Sequence, residues 1–264
     1  MKEKMTVKEV REWLETAEGG EELFCALKAD SRAGVKKLIA SWERRREKAE
    51  KMRSSHLGKE AFDAGFRSDP LDRVAGVDEA GRGPLAGPVV TAAVILPPHA
   101  PTLVGLDDSK ALTRSERERL AELIRETAVA WSVHVQPAAE IDRLNIYQAT
   151  KRSMEEAVRA LDVRPESVIA DAMNLDAGIP CSSVVKADAK SLAVAAASVL
   201  AKTERDRYMD RLHERHPVYN FKRNAGYPTP EHLRALEQHG PCPEHRTSFA
   251  PVAGCAAQTV GIRS

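Results

Sequence analysis

Cysteine is scarce, and its placement follows no ligand or redox pattern. Cys25, Cys181, Cys242 and Cys255 form no CxxC pair and no Cys/His ligand spacing, which argues against structural zinc and against a disulfide scaffold in a chain this long. A reducing cytoplasm is the expected compartment. An excess of charge of one sign is missing too: 40 Lys and Arg stand against 39 Asp and Glu, a formal net charge of +1. No global field therefore draws in a polyanion, and any nucleic-acid contact must come from local patches. The longest apolar run, Leu192 to Ala201, falls far short of the roughly 20 residues of a membrane span. The opening MKEKMTVKEV has no apolar signal region, so a soluble, unexported protein without membrane contact is expected. Internal repeats and low-complexity tracts are absent. So are a GxGxxG turn opening a helix and a GK[ST] phosphate loop, which excludes the two common nucleotide-binding signatures.

What is present centres on Arg73 to Leu96, RVAGVDEAGRGPLAGPVVTAAVIL. A β-branched run meets two consecutive carboxylates, Asp78 and Glu79, then a glycine-rich turn, then a second β-branched run from Val89 to Ile95. Successive side chains of a strand face opposite sides. The two acids are therefore expected to share a site only if the extended geometry breaks there, with Gly81, Gly83 and Pro84 supplying the break. Glycine also lets main-chain groups come close to a ligand.

The 264 residues suffice for one α/β core and a smaller module. Thr6 to Glu9 has the form of a capping box, and Val35, Leu38, Ile39 and Trp42 repeat at helical spacing. Residues 1 to about 51 thus read as a small helical bundle. Its third helix is basic, with eight Lys or Arg against three Glu between Lys36 and Arg53; the functional reading of that excess is a phosphate grip without sequence preference, the plain one a solvated face. Ser54 to Pro70 reads as a linker with at most one short helix. Thr113 to Glu116 is a second capping box. Trp131 to Val135 alternates as a strand buried on the side of Trp131, Val133 and Val135, with His134 exposed. Asn145 caps a helix from Ile146 to Leu161. Ser167 to Asp171 and Ser182 to Val185 are short strands. Ser191 to Met209 is a helix packed inside the domain, and Thr229-Pro230 opens another. From Pro241 on, the chain reads as irregular with a frayed end. Because the first two strands form a hairpin while later strands and helices alternate, the sheet is expected to be mixed, with helices packed against it.

Three strand ends or post-strand turns carry acids: Asp78-Glu79, Asp171 and Asp188. Carboxylates crowded together are costly unless a cation neutralises them. All-oxygen donors suit Mg²⁺ or Mn²⁺ rather than zinc. Flanked by Lys110 and Lys186, such a site points to metal-assisted phosphodiester hydrolysis.

The blocks VAGVDEAGRGPLAGPVV, DDSK, LNIYQAT, VIADAMNL, KADAKSLAVAAASVLAKTERDR and GYPT occur in the order seen in bacterial ribonuclease HII, which this sequence resembles over most of Arg73 to Val252. The N-terminal helical segment is similar to the extension of some Gram-positive-type members. The resemblance implies an α/β, ribonuclease H-like mixed sheet flanked by helices, over residues 68–264 with a C-terminal helical segment. A helical, substrate-binding extension and linker would precede it over 1–67. It implies a Mg²⁺- or Mn²⁺-dependent endoribonuclease acting on RNA–DNA hybrids and on ribonucleotides embedded in duplex DNA, in ribonucleotide excision and DNA repair, as a monomer. Asp78, Glu79, Asp171 and Asp188 match the metal-binding acids. Gly81, Arg82 and Gly83 match the segment that reads the ribose 2′-OH, and Tyr227 matches the tyrosine that packs on the neighbouring deoxyribose. Lys110 and Lys186 are further candidate substrate contacts. The chain departs from the family at Ala187, where glycine is common, and at Ala225, where lysine is common. Lys222 and Arg223 stand near enough in sequence to replace a phosphate contact there. A non-catalytic binder of hybrids or junctions is the rival reading.

Overall fold

The computed structural model describes residues 5–16, 21–106 and 112–261. By internal packing the chain divides into two units, residues 1–55 and 56–264.

In the first unit, helices α1 (Val7–Thr16), α2 (Glu21–Lys28) and the start of α3 (Ala33–Ala64) bury Val10, Leu14, Leu27, Val35 and Ile39. The capping box closes as expected: Glu9 accepts from Thr6 N at 2.6 Å and Thr6 Oγ1 from Glu9 N at 3.2 Å. Phe24 and Trp42 meet at 4.6 Å between ring centroids. The basic residues of α3 from Lys36 to Arg53 are all exposed.

The expected linker is helical as far as Ala64. His56, Lys59 and Asp63 are buried, so this stretch has a packed face that composition alone conceals. Lys59 Nζ donates to Leu106 O at 3.1 Å, and Asp63 Oδ2 accepts from Ala193 N at 2.9 Å.

The second unit is built on five strands, β1 (Val74–Ala80), β2 (Val89–Ile95), β3 (Ala130–Gln136), β4 (Ser167–Asp171) and β5 (Cys181–Val184), in the order β3-β2-β1-β4-β5. β1 pairs antiparallel with β2 and parallel with β4, giving the mixed sheet. Around the sheet lie α4 (Arg114–Thr127), α5 (Ala138–Leu144), α6 (Ile146–Arg159), α7 (Leu192–Arg215), α8 (Phe221–Asn224), α9 (Pro230–His239) and α10 (Ala250–Gly261). The expected caps hold: Thr113 closes its capping box with Glu116, and Asn145 and Thr229 cap α6 and α9; Ser191, read from the sequence as the first residue of its helix, is instead the cap of α7. The C-terminal stretch expected to be irregular contains α10.

α6 covers one face of the sheet, where Ala75, Val77, Ala93 and Ile95 meet Met154, Ala157 and Val158. α7 covers the other and reaches the backbone of β1. A Cβ on Gly76 would lie 2.2 Å from Val194 N, so only glycine permits that approach.

Two strand expectations fail. β1 stays paired through Asp78↔Ala92, Glu79↔Thr91 and Ala80↔Val90, so the break begins at Gly81, beyond both acids. In β3 the buried face is that of Ser132 rather than of Trp131. The reason is hydrogen bonding to α6: Ser132 Oγ donates to Ala157 O at 2.5 Å and half-buried His134 bonds Ser153 Oγ through Nδ1 at 2.8 Å. Trp131 and Val135 stay exposed on this edge strand, with the Arg125 guanidinium 5.2 Å from the Trp131 ring.

Candidate active site

At the end of β1 a cleft of about 420 Å³ opens between the sheet, the loop after β1, and α7. It is lined by Asp78, Glu79, Asp171 and Asp188, by Gly81, Arg82, Gly83 and Tyr227, and by Arg117, Ser198, Lys202 and Arg205. The four candidate acids, the glycine-arginine-glycine segment and the tyrosine therefore share one cavity, although they span 150 positions of sequence.

Alternation along β1 puts Asp78 on the same face as Gly76, under α7, and it is buried. Its Oδ1 accepts from Glu79 N at 2.7 Å. Burial first, then the charge of Glu79 and more weakly that of Asp171, holds its carboxyl well above the ordinary carboxylate range, against a hydrogen bond from Ser198. Glu79 lies 3.5 Å from Arg82 Nη1. Asp171 closes β4 beside β1, and its Oδ1 accepts from Ala187 N at 2.8 Å. Asp188 lies in the 3-10 turn Ala187–Ala189. Ala187 is buried with Val74, Ile169 and Val194. The left-handed residue of this turn is Lys186, at φ 56°, so alanine at 187 meets no positive-φ penalty. Lys186 itself does not line the cleft, and Lys110 lies outside the described residues.

Among the described residues no three acid, histidine or cysteine side chains close into a metal-ligand cluster. The acids line the cleft as an open set of hard oxygen donors. That donor chemistry, with like charge crowded around a buried carboxyl, fits a divalent cation.

Ser198, Lys202 and Arg205 on α7, with Arg117 on α4, are the polar lining residues that the sequence reading missed. The α7 residues, spaced four and then three apart, fall on one helical face, where the apolar first part of the helix gives way to its charged second part. Lys202 Nζ donates to Asp206 Oδ1 at 2.6 Å and Arg117 Nη2 to Asp206 Oδ2 at 2.8 Å, which anchors two cations at the rim. Arg205 is fully buried and bonds Pro88 O, Ala86 O and Ala225 O.

The loop from Gly81 to Pro88 is fastened from behind. Gly81 has φ 98°, and a Cβ there would lie 2.0 Å from Arg205 Nε. Leu85 N donates to Gly226 O, and Gly87 N to Glu244 O. A Cβ at Gly83 would lie 3.6 Å from Tyr227 Cε1, so the half-exposed tyrosine ring borders the glycine segment.

The ribonuclease HII family profile matches residues 75–252, and that of the ribonuclease HII N-terminal domain matches residues 6–67. The chain is 48% identical over 259 residues to a ribonuclease HII of Halalkalibacterium halodurans, covering 97% of this chain and 98% of that one. It is 45% identical over 251 residues to a ribonuclease HII of Bacillus anthracis, covering 95% and 97%. The crystal structure of the ribonuclease H2 of Pyrococcus horikoshii superposes with a TM-score of 0.60 at 27% identity, over 70% of this chain and 98% of that one. The Archaeoglobus fulgidus ribonuclease HII, solved in complex with PCNA, gives 0.58 at 29% identity, over 69% and 96%. With the family profile matching residues 75–252 and relatives aligned over nearly the whole of both chains, the chain belongs to the ribonuclease HII family.

Proposed function

We propose that the cleft at the end of β1 is where this endoribonuclease hydrolyses the RNA strand of RNA–DNA hybrids, and that it also cuts on the 5′ side of single ribonucleotides embedded in duplex DNA. The observation that carries the reading is that Asp78, Glu79, Asp171 and Asp188 share a cavity with the Gly81-Arg82-Gly83 backbone and Tyr227.

The four acids would hold Mg²⁺ or Mn²⁺. A bound ion supplies Lewis-acid polarisation of the phosphate and lowers the pKa of the attacking water. The chain's own residues do the rest. Lys202, Arg117 and Arg82 place positive charge at the rim, where a phosphate backbone would run. Arg82 and Gly83 are exposed, and their N–H groups, which make no hydrogen bond among the described residues, would meet a 2′-OH, the one group that separates RNA from DNA at a single nucleotide. Tyr227 offers its ring to the adjacent deoxyribose. Ala225, left-handed at φ 49°, gives its carbonyl to Arg205, and any phosphate contact there falls to Lys222 or Arg223. The exposed basic side of α3 gives residues 1–67 the character of a phosphate grip, and the protein is proposed to act as a monomer in the cytoplasm.

The test is a duplex with one embedded ribonucleotide and a matched long hybrid, each incubated with Mg²⁺, with Mn²⁺ and without metal. Metal-dependent cutting 5′ of the ribonucleotide is expected. Binding of both without cutting would restore the rival reading of a pure binder.

A further inference from the structure

Arg246 is fully buried, and its hydrogen bonds go to backbone carbonyls of the loop after β1. Nη2 donates to Gly81 O at 2.6 Å, Nη1 to Arg82 O at 2.8 Å, and Nε and Nη2 to Gly87 O at 3.0 and 2.9 Å. No carboxylate of the described residues pairs with it. Burial and then the charge of Arg205 lower its pKa to about 9, so it remains a cation near neutrality. A buried guanidinium with no carboxylate in direct contact, and only the charge of Asp142 acting on it from farther off, is costly and calls for a specific return in geometry.

Peptide planarity shows that return. In a trans peptide the carbonyl of one residue and the N–H of the next point in opposite directions. Drawing the Gly81 and Arg82 carbonyls onto Arg246 turns the N–H groups of Arg82 and Gly83 the other way. Neither N–H is spent on a hydrogen bond among the described residues, and both residues are exposed.

The residue before Arg246 reaches the tyrosine. Cys242 N–H donates to His245 Nδ1 at 3.0 Å, so that nitrogen is an acceptor. His232 Nδ1 lies 2.9 Å from Tyr227 O, so it must be a donor. The remaining contact, His245 Nε2 to His232 Nε2 at 3.0 Å, is then fixed in direction, with His245 donating. The backbone partners thus set both tautomers, and both rings are neutral. Arg246 N donates to Leu85 O at 2.8 Å, closing the frame.

We propose that Arg246, with the neutral His245–His232 pair, is a positioning device that aims the Arg82 and Gly83 N–H groups and holds Tyr227 beside them, so that the two parts of the junction reader keep one fixed spacing. This rests on the reading that the glycine segment and Tyr227 recognise the junction. Arg246 touches no substrate and acts through the loop.

The experiment compares full-length wild type, Arg246→Lys, His232→Gln and Tyr227→Ala on the embedded single ribonucleotide and the long hybrid, at fixed metal and salt, with thermal melts. Lysine keeps the charge but is a point donor that cannot span three carbonyls. The expected result is a folded Arg246→Lys whose rate on the single ribonucleotide falls about tenfold more than on the hybrid, with a smaller shift in the same sense for His232→Gln. Equal losses on both substrates, or none, overturn the proposal if Tyr227→Ala does shift the ratio. A Tyr227→Ala with an unchanged ratio instead faults the junction reading beneath it. A measurement on the wild-type protein needs no variant to fold: the Arg246 Nε proton must exchange slowly with water, and fast exchange overturns the clamp.

Discussion

Gly83 and Tyr227 border one another at the mouth of the cleft, the position of a would-be Cβ on Gly83 lying 3.6 Å from Tyr227 Cε1. The ring therefore has an ordinary van der Waals gap beside the glycine and one flat face to offer a sugar. Tyr227→Ala is expected to lower cleavage of an isolated ribonucleotide more than cleavage of a long hybrid, because a long RNA strand offers many registers. Loss of an aromatic platform costs about 1–3 kcal/mol by analogy with base stacking. Tyr227→Phe restores most of it, since the ring does the packing. The ratio of rates on the two substrates checks this, and an unchanged ratio for alanine means the ring packs only within its loop.

Asp78→Asn and Asp171→Asn are each expected to abolish cleavage while hybrid binding survives. Each removes a charge from the acid set and leaves Lys202, Arg117 and Arg82 in place. Binding by titration and cleavage by gel separate the two effects. Near wild-type cleavage in either variant removes that acid from the site.

The basic side of α3 is testable by charge alone. Arg44→Gln, Arg45→Gln and Lys48→Gln together are expected to flatten the salt dependence of hybrid affinity, the slope of log affinity against log salt falling by about 0.9 for each phosphate that is no longer neutralised. Equal slopes mean these residues form only a solvated face. Truncation is a different experiment. A chain starting at Ser68 would lose Asp63 from Ala193 N and Lys59 from Leu106 O, and is expected to melt earlier than one starting at Ser55.

His245 sets a pH dependence of stability. Burial, then the like charge that His232 would carry if protonated, lowers its pKa to about 4, against about 6.5 unfolded. The unfolded chain therefore binds the proton first. The contribution is fully present above about 6.5 and is lost as pH falls through about 4, at most about 3 kcal/mol. His232 and Cys242 face the ring directly, Tyr219 stacks on it edgewise at 4.7 Å, and His216 adds a like charge when protonated. His245→Asn is expected to melt lower at neutral pH and to lose less of its stability between pH 6.5 and 4 than wild type does. Equal losses would show that acidification acts elsewhere.

The local chemistry of this fold is plain in the sequence because it is written at short range. Thr113 with Glu116, Asn145 before Ile146 and Thr229 before Pro230 each announce a helix start within a few residues. The acids at Asp78-Glu79, Asp171 and Asp188 stand at strand ends or in turns that the β-branched runs delimit. What escaped was set by distant partners. Ser132 rather than Trp131 turns inward because α6 offers it a carbonyl. Ser54 to Ala64 hides a packed helical face because Lys59 and Asp63 find their partners 47 and 130 positions away. Arg205 and Arg246 look like ordinary surface arginines until the loop carbonyls around them are seen. A polar stripe at Ser198, Lys202 and Arg205 was the one missed feature with a readable signal, since Ser198 interrupts the apolar run and Lys202 and Arg205 follow it at helical spacing.

The clamp from Arg246 to Gly81 joins positions 165 apart, and this orders events during synthesis. All acids of the cleft emerge from the ribosome well before Arg246 does. A nascent chain can thus pair β1, β4 and β5 and gather its carboxylates while the loop after β1 still lacks its fastening. Pairings of such long separation form late and slowly. Selectivity for the junction would then be the last property the folding chain acquires. A copy cut off before Pro241 is the protein to watch for cleavage without that selectivity.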